Sequence, residues 1–418
     1  MVIGLFSLGF QSKQVDKTLK FNTRVNDKVR HAALLLAACL FSSLLAGAQV
    51  EPGEEFGARA QQSPSLMRGD KSLTIDWELQ SLAQRLLKGK TGSIVAIDPS
   101  NGEILCLATH SPAGEDARLA IARSYPPGST FKTALALTLL TTGQVDQTSA
   151  TPCHRGTRAG GMRVKCHRHR SPVTVKDAIA ISCNSYFLLN FMAMVNNRVM
   201  YPTAEEAIKD FNEYMNSMGI GVLTGIDLAG ERPGLLPTID FCNKQWGKGK
   251  WGANHVMYCG IGQGQVMLTP LQLCNLAASI AGKGVWYKPH LHREMPYQPL
   301  PVEYLTPQIT LCAPAAYNLV REGMRLVMTK GTGAAVSCEV PLMGKTGTAE
   351  NEGNDHSVFI GIGPSPHPTI AVSVLIEHGG WGADVAAPMG SLIIEQHANG
   401  KLCKRSQARA SQLEAKTF

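Results

Sequence analysis

Strand patterns on either side of a long helical stretch constrain the fold of this chain more than any other feature. Residues 92–98 and 103–109 are β-rich and flank an Asn-Gly pair, which is a strong signal for a hairpin turn. Strand patterns return only at 342–349, 358–363 and 369–377, where short connections favour an antiparallel meander. The order indicates one antiparallel sheet built from both parts of the chain.

The other periodic segments are helical. Apolar residues recur at helical spacing in four stretches: 73–89, 129–142, 175–195 and 383–398. Thr174 and Asp177 are placed as a capping box before the third of them. The predicted fold class is therefore α+β, with an antiparallel sheet flanked by helices and a helical subdomain in the middle of the chain.

Composition limits the classes of protein to which the chain can belong. Hydrophobic residues make up 44% of the 418 residues and charged residues 17%, which excludes a disordered chain and a multi-span membrane protein. The net charge is +8, yet no base-reading module is present, so we expect no nucleic-acid partner. A location beside anionic membrane and wall polymers accounts for this charge.

The N-terminus contains one segment typical of protein export. An apolar run, 32–48, follows Lys28, Arg30 and His31 and ends in small residues, as in a signal peptide. The run is near the minimum length that spans a bilayer, so a cleaved signal and an uncleaved anchor both stay open, as does a lipobox at Leu36–Cys39. The positive flank places the remainder outside the cytoplasm, on the periplasmic face.

Four parts follow from these patterns. We predict a signal or anchor segment over 1–48, a polar linker over 49–72, one folded domain over 73–400 and a loosely ordered polar tail over 401–418.

The first candidate for chemistry is the serine that follows a Pro-Pro-Gly breaker. Ser129 begins a predicted helix, and Lys132 lies three residues later on the same helix face, within reach of the hydroxyl. Backbone N–H groups at a helix start also stabilise developing negative charge. By itself the S-x-x-K spacing is weak, because a helix cap followed by a surface lysine has the same pattern.

Two further short motifs follow in the chain. Ser182 and Asn184 stand in an apolar helical stretch, where polar side chains cost free energy unless they have partners or a task. Lys345-Thr346-Gly347-Thr348 ends a predicted strand, and the missing side chain at Gly347 leaves room for substrate backbone at a sheet edge. The cation and hydroxyls suit a carboxylate.

The order S-x-x-K, S-x-N and K-T-G resembles the signature of the penicillin-binding protein and serine β-lactamase superfamily. Longer phrases resemble class B penicillin-binding proteins, especially the elongation type. These phrases are Tyr125–Lys132, Gly225–Leu228, Gly230–Glu231, Gly260–Gly264, Thr269–Gln272, Gly331–Gly333, Gly344–Ala349 and Asp355–Ser357. The resemblance covers about 73–400 and identifies that segment as a transpeptidase domain.

The resemblance implies a peptidoglycan D,D-transpeptidase that needs no cofactor for catalysis. Lys132 would activate Ser129 for attack on the D-alanyl-D-alanine bond of a stem peptide, and the N–H groups of Ser129 and Thr348 would hold the oxyanion. Ser182 would relay a proton to the leaving group, and Asn184 would bind the peptide amide. β-Lactams would acylate the same serine.

Substrate binding and partners also follow from the resemblance. Lys345, Thr346 and Thr348 would bind the terminal carboxylate of the stem peptide. Class B enzymes carry a pedestal domain between anchor and catalytic domain, whereas here about twenty polar residues precede residue 73, so coupling to a membrane glycosyltransferase partner stays open.

A cluster of soft ligands precedes the S-x-N motif. Cys153, Cys166, His169 and Cys183 would suit a structural zinc ion, and similar residues occur in some elongation-type relatives. A disulfide between Cys153 and Cys166 suits the same compartment, and a solvated basic loop is the third alternative.

Three functions remain open at this point. They are a crosslinking transpeptidase, a hydrolase of the same fold such as a D,D-carboxypeptidase or β-lactamase, and a non-catalytic β-lactam-binding sensor or scaffold. The phrases favour the first, and no residue in the sequence suggests itself for activating a deacylating water.

Overall fold

A five-stranded antiparallel sheet lies at the centre of the computed structural model, which describes residues 70–351 and 353–418. The described strands are β1 (Gly92–Ile97), β2 (Ile104–His110), β3 (Gly156–Ala159), β4 (Met162–Lys165), β5 (Val285–Trp286), β6 (Gln308–Ile309), β7 (Met343–Ala349), β8 (His356–Gly363) and β9 (Ile370–Ile376). The central sheet has the order β2-β1-β9-β8-β7, so β7 is an edge strand.

Helices cover both faces of this sheet. They also make up most of the chain between its early strands, β1 and β2, and its late strands, β7 to β9. The described α-helices are α1 (Trp77–Leu87), α2 (Leu119–Ala122), α3 (Lys132–Thr141), α4 (Val175–Ala180), α5 (Asn184–Val195), α6 (Ala204–Ser217), α7 (Ile239–Trp246), α8 (Ala253–Val256), α9 (Pro270–Ala281), α10 (Val302–Leu305), α11 (Pro314–Thr329), α12 (Ala386–Asn399) and α13 (Lys404–Glu414). Two 3-10 helices lie at Gly128–Phe131 and Met257–Ile261.

The register of the sheet confirms the predicted α+β fold. β1 pairs antiparallel with both β2 and β9, which joins the early hairpin to the late meander β7-β8-β9. Every residue of β8 and β9 except His356 is buried, because α12 packs on β8 and β9 while α9 packs on β9 and β1. The predicted strand segments are confirmed to within two residues.

The helical subdomain packs around aromatic side chains. Phe131, at the end of the first 3-10 helix, makes an edge contact with Phe211 of α6, and Phe191 of α5 contacts the same ring. All three rings are fully buried. Burying side chains of this size contributes about 1.5–3 kcal/mol each, so this cluster fixes α3 and α5 against α6.

The prediction of one helix over 175–195 was wrong. α4 ends at Ala180 and α5 begins at Asn184, with Ser182 between them in the left-handed region at φ 57°. The Cys183 sulfur caps α5 by accepting from the N–H of Tyr186. Apolar periodicity continues across the break, so the pattern could not show it.

The capping-box prediction holds only for the position of the cap. Thr174 is the N-cap of α4, but its hydroxyl donates to Asp177 Oδ2 at 3.2 Å and makes no hydrogen bond to the helix backbone.

The prediction of a loosely ordered tail was also wrong. Residues 404–414 form α13, which packs on α1 and α12 with Leu413 buried. The buried Glu395 carboxylate of α12 accepts from the Cys403 N–H at 2.8 Å and from the Ser406 hydroxyl at 2.5 Å. Tertiary contacts of this kind leave little trace in the composition of a polar segment.

The predicted signal or anchor segment over 1–48, including its lipobox, and nearly all of the linker over 49–72 lie outside the described residues. Within the part of the chain that the structure describes, no helix is both long enough and apolar enough to cross a bilayer.

Candidate active site

The first 3-10 helix and α3 bring the predicted nucleophile and base together. Ser129 is half-buried within the 3-10 helix, and Lys132 is the first residue of α3 and fully buried. Lys132 Nζ lies 2.9 Å from Ser129 Oγ. This distance is a direct hydrogen bond between the amine and the hydroxyl.

The turn between α4 and α5 completes the surroundings of the amine. Lys132 Nζ donates to the Ser182 carbonyl at 2.9 Å, the Ser182 hydroxyl at 3.2 Å and the Asn184 Oδ1 at 2.5 Å. All of these acceptors are uncharged, and burial lowers the pKa of Lys132 to about 8. At a pKa of about 8, roughly a tenth of the amine is neutral at pH 7, and the neutral fraction rises with pH.

The edge strand β7 carries the K-T-G motif on the sheet. Lys345 is fully buried, and its Nζ donates to the Thr346 carbonyl at 2.8 Å. Burial and the charge of Lys132 lower the pKa of Lys345 well below its usual value. Within the described residues, neither lysine forms an ion pair with a carboxylate, so none competes with an anionic substrate group for them.

One hydroxyl contact in this region had no assigned role from the sequence. Thr332 Oγ1 lies 2.6 Å from Thr346 Oγ1. The backbone N–H of Thr332 donates to the carbonyl of Ala180 at the end of α4. The phrase Gly331–Gly333 indicated the family without indicating this contact, which depends on how α11 brings the segment to β7.

Glycines place the nucleophile directly against the edge strand. A Cβ on Gly347 would lie 2.9 Å from Thr130 Cγ2, so the absence of a side chain there lets the nucleophile segment pack against β7. A Cβ on Gly128 would lie 2.5 Å from the Thr348 carbonyl oxygen. The backbones on either side of the expected oxyanion position are thus in contact.

Gly262 supports the same turn from behind. Its carbonyl accepts from the Gly128 N–H at 2.9 Å, its φ is 72°, and a Cβ there would collide with the Gly128 carbonyl and with Phe131. The phrase Gly260–Gly264, which the sequence offered only as part of a resemblance, is therefore a packing element behind Ser129.

The four predicted metal ligands also meet. The ligand atoms of Cys153, Cys166, His169 and Cys183 all lie within 4.8 Å of one another. Sulfurs of a tetrahedral zinc site are about 3.8 Å apart, given Zn–S bonds of about 2.3 Å, so the residues fit such an ion. His169 Nδ1 contacts the Arg170 carbonyl at 2.7 Å, which directs Nε2 toward Cys166 Sγ, 3.5 Å away.

The sulfurs of this cluster are electrostatically coupled. A hydrogen bond from Cys183 lowers the pKa of Cys166, and the same bond together with burial raises the pKa of Cys183. The ten cysteines of the described residues are all free, so the proposed Cys153–Cys166 disulfide is not formed in this structure.

A serine hydrogen-bonded to a buried lysine of low pKa, beside a helix start, is an arrangement for acyl transfer through a covalent intermediate. Residues 92–395 match the family described as the penicillin binding protein transpeptidase domain. The chain belongs to this family. The match spans both the central sheet and the helical subdomain, including all three motifs.

Individual relatives place the chain within the penicillin-binding proteins. It is 30% identical to the peptidoglycan D,D-transpeptidase MrdA of Acinetobacter baumannii over 381 residues, covering 77% of this chain and 53% of that protein. The crystal structure of Pseudomonas aeruginosa PBP2 aligns with a TM-score of 0.68 at 29% identity, covering 80% of each chain. These similarities confirm the predicted elongation-type class B member and its transpeptidase fold.

A third relative was solved as part of a larger assembly. A structure described as a peptidoglycan synthase complex that coordinates polymerization and crosslinking aligns with a TM-score of 0.66 at 27% identity, covering 79% of this chain and 63% of that one. The chain spans about half the length of the curated relatives it matches, with 53% to 57% of the MrdA proteins covered.

Proposed function

We propose that this penicillin-binding protein is a peptidoglycan D,D-transpeptidase and that Ser129 forms its acyl-enzyme. The observation that carries the proposal is the 2.9 Å hydrogen bond between Lys132 Nζ and Ser129 Oγ, with Ser182 and Asn184 around the same amine. The names of the relatives support the same reaction.

In the proposed first half-reaction, Ser129 Oγ attacks the carbonyl between the two terminal D-alanines while its proton passes to neutral Lys132. The N–H groups of Ser129 and Thr348 stabilise the oxyanion, which the contact between Gly128 and Thr348 supports. As the intermediate collapses, the proton moves from Lys132 through the Ser182 hydroxyl to the departing D-alanine amine.

In the second half-reaction, the amine of a neighbouring stem peptide attacks the acyl ester. Its proton passes to Lys132 and then to Ser129 Oγ, so the serine is restored and a crosslink has formed. Asn184 holds the peptide amide. In the first half-reaction Lys345, with Thr346 and Thr348, binds the terminal carboxylate, which then leaves with D-alanine.

The acyl-enzyme at Ser129 is tested by incubation with a fluorescent penicillin followed by intact-mass analysis, and a stem-peptide acceptor assay then separates transpeptidation from carboxypeptidation. We expect one stable adduct per chain in the wild type and none in Ser129→Ala, because the alanine has no nucleophile. Thr130→Ser, which keeps a hydroxyl beside the nucleophile, is the matched control and retains the adduct. Rapid release of the adduct would favour the hydrolase, and no adduct would favour the scaffold; either outcome contradicts the proposal.

We also propose an extracytoplasmic location and a polymerase partner. The export-type segment before residue 48 supports the location on the periplasmic face. The relative described as a synthase complex supports a membrane glycosyltransferase as partner. Peptidoglycan stem peptides and β-lactams are the ligands expected at Ser129.

We propose further that Cys153, Cys166, His169 and Cys183 hold a structural zinc ion. Cys183 lies between Ser182 and Asn184, so the ion would brace the turn that faces Lys132 and takes no part in the chemistry. Support comes from the spacing of the ligand atoms and from the contact of His169 Nδ1 with a backbone carbonyl.

Elemental analysis of the purified protein tests the zinc proposal. We expect about one zinc per chain in the wild type, loss of the metal in Cys153→Ser, and full retention in Cys338→Ser, a control cysteine outside the cluster. Absence of stoichiometric metal from the wild type, or equal zinc in both variants, would contradict the assignment.

A further inference from the structure

The β3-β4 hairpin and its flanks carry a dense run of exposed cations. Six cations lie between residues 155 and 170, and all are exposed: Arg155, Arg158, Arg163, Lys165, Arg168 and Arg170. No Asp or Glu occurs from 147 to 176. The whole chain has 40 basic and 32 acidic residues, a net charge of +8. The segment 155–170 has a net charge of +6, which is large beside that total. We call these six residues the basic hairpin.

Within the described residues, none of the six cations makes a salt bridge, although exposed Arg and Lys elsewhere do, as in Arg118–Asp116 and Arg325–Glu322. Arg158 and Arg163 stand directly opposite each other in the β3-β4 register. Like charges at facing positions of a hairpin destabilise it. The hairpin therefore keeps an unfavourable arrangement that a bound anion would relieve.

The body of the hairpin is fixed to the protein, so its cations have a defined position. Ala159 and Val164 are buried and pack with Leu188 of α5 and Met257 in a small separate cluster. The Tyr258 hydroxyl donates to the Met162 sulfur at the tip. The hairpin is a built feature of the surface, with its apolar side inward and its arginines outward.

The hairpin adjoins the active site through Asn184. The Asn184 Nδ2 donates to the carbonyl of Lys165 at 3.0 Å, while Oδ1 of the same side chain accepts from Lys132 Nζ. Lys132 in turn contacts Ser129. Two side chains thus connect the nucleophile to the end of β4, and the cations lie on the Asn184 side of the reacting groups.

We propose that the basic hairpin binds the free carboxylates of the peptidoglycan peptide strand beside the reacting bond. The proposal rests on the transpeptidase function proposed above. Stem peptides carry carboxylates in addition to the terminal one, and an array of arginines adjoining the nucleophile is complementary to such a strand. The hairpin would guide and orient the strand, and its arginines are positioning residues, since the chemistry at Ser129 does not involve them.

The test compares two variants of the full chain that each lose two exposed cations. Arg158→Gln with Arg163→Gln removes the facing pair, and Lys401→Gln with Lys404→Gln removes the same charge near α13. Binding is measured by cosedimentation with purified peptidoglycan sacculi, either untreated or with their carboxylates amidated. Each exposed ion pair contributes only modestly, so we expect the hairpin variant to bind untreated sacculi about five- to tenfold more weakly.

Three outcomes would support the inference together. The α13 control binds untreated sacculi like the wild type. The wild type binds amidated sacculi as weakly as the hairpin variant binds untreated sacculi. Salt at about 0.5 M, which screens surface charge strongly, removes the difference between the wild type and the hairpin variant. The unfolding temperature of the hairpin variant is unchanged or higher, because a like-charge pair has been removed.

Other results would overturn the inference. Equal losses in both variants would indicate a nonspecific effect of charge, and a loss that persists on amidated sacculi would exclude carboxylates. Weaker binding to phosphatidylglycerol vesicles with unchanged binding to sacculi would assign the surface to a membrane instead. Acylation of the wild type by fluorescent penicillin is measured in parallel, because its absence would contradict the transpeptidase proposal independently of strand binding.

Discussion

Replacing Lys132 by methionine is expected to slow acylation of Ser129 by about 10²- to 10⁴-fold, the contribution of a positioned general base. Methionine has a similar length but cannot accept the serine proton. We expect the fold to be retained, because the new side chain occupies the same buried volume. The measurement is the rate of adduct formation with a fluorescent penicillin, with thermal unfolding as the check on folding.

The pH dependence of the same rate identifies Lys132 as the base. Burial lowers the pKa of Lys132 to about 8, and only the neutral amine accepts a proton. The acylation rate of the wild type should therefore rise with pH through about 8 and then level off, whereas Lys132→Met lacks this rise. A wild-type rate that falls over this range, or an unchanged rate in the variant, would mean that another group is the base.

Replacing Gly262 by alanine is expected to cost about 2–5 kcal/mol in the free energy of unfolding. A left-handed backbone at an alanine costs about 1–2 kcal/mol, and overpacking typically costs about 1–3 kcal/mol. The new Cβ would collide with the Gly128 carbonyl and lie 2.8 Å from Phe131 Cβ. Because Gly128 directly precedes the nucleophile, the acylation rate should also fall, by about 10²-fold for a displacement near 1 Å.

Gly249→Ala separates the cost of the left-handed backbone from the cost of the steric collision. Gly249 has nearly the same φ, 70°, but no atom lies within 4 Å of a Cβ placed there. This variant should lose about 1–2 kcal/mol of stability, because only the backbone cost applies, and should be acylated at the wild-type rate. Denaturant unfolding and adduct formation are measured on both proteins. If Gly262→Ala behaves like Gly249→Ala, the nucleophile turn does not depend on this contact.

Several features could be predicted because they are encoded locally. The β1-β2 hairpin follows from two short β-rich runs around an Asn-Gly turn, and the three late strands follow from similar runs with short turns between them. The proximity of Ser129 and Lys132 follows from three-residue spacing on a helical turn. The family followed from short phrases in a particular order, and the match over 92–395 confirmed it.

The break between α4 and α5 could not be predicted, because the apolar pattern of the sequence continues through it. Ser182 lies in a left-handed turn between α4 and α5, and this turn directs its hydroxyl toward Lys132. Apolar residues on both sides keep helical spacing, so the periodicity predicted one helix. The prediction for the C-terminal tail was wrong because the segment has no clear apolar pattern. Its helix, α13, depends on a few buried contacts with Glu395 and α1.

By itself the sequence determined which groups can react: a serine, its lysine, and the polar side chains that follow in the order typical of the family. Only the tertiary structure decided their environment. Burial that lowers the pKa of Lys132, the contact of Gly128 with the edge strand, and the link from Asn184 to the basic hairpin each join residues far apart in the chain. The physical reason is that desolvation and close packing depend on neighbours in space, which spacing along a chain does not specify.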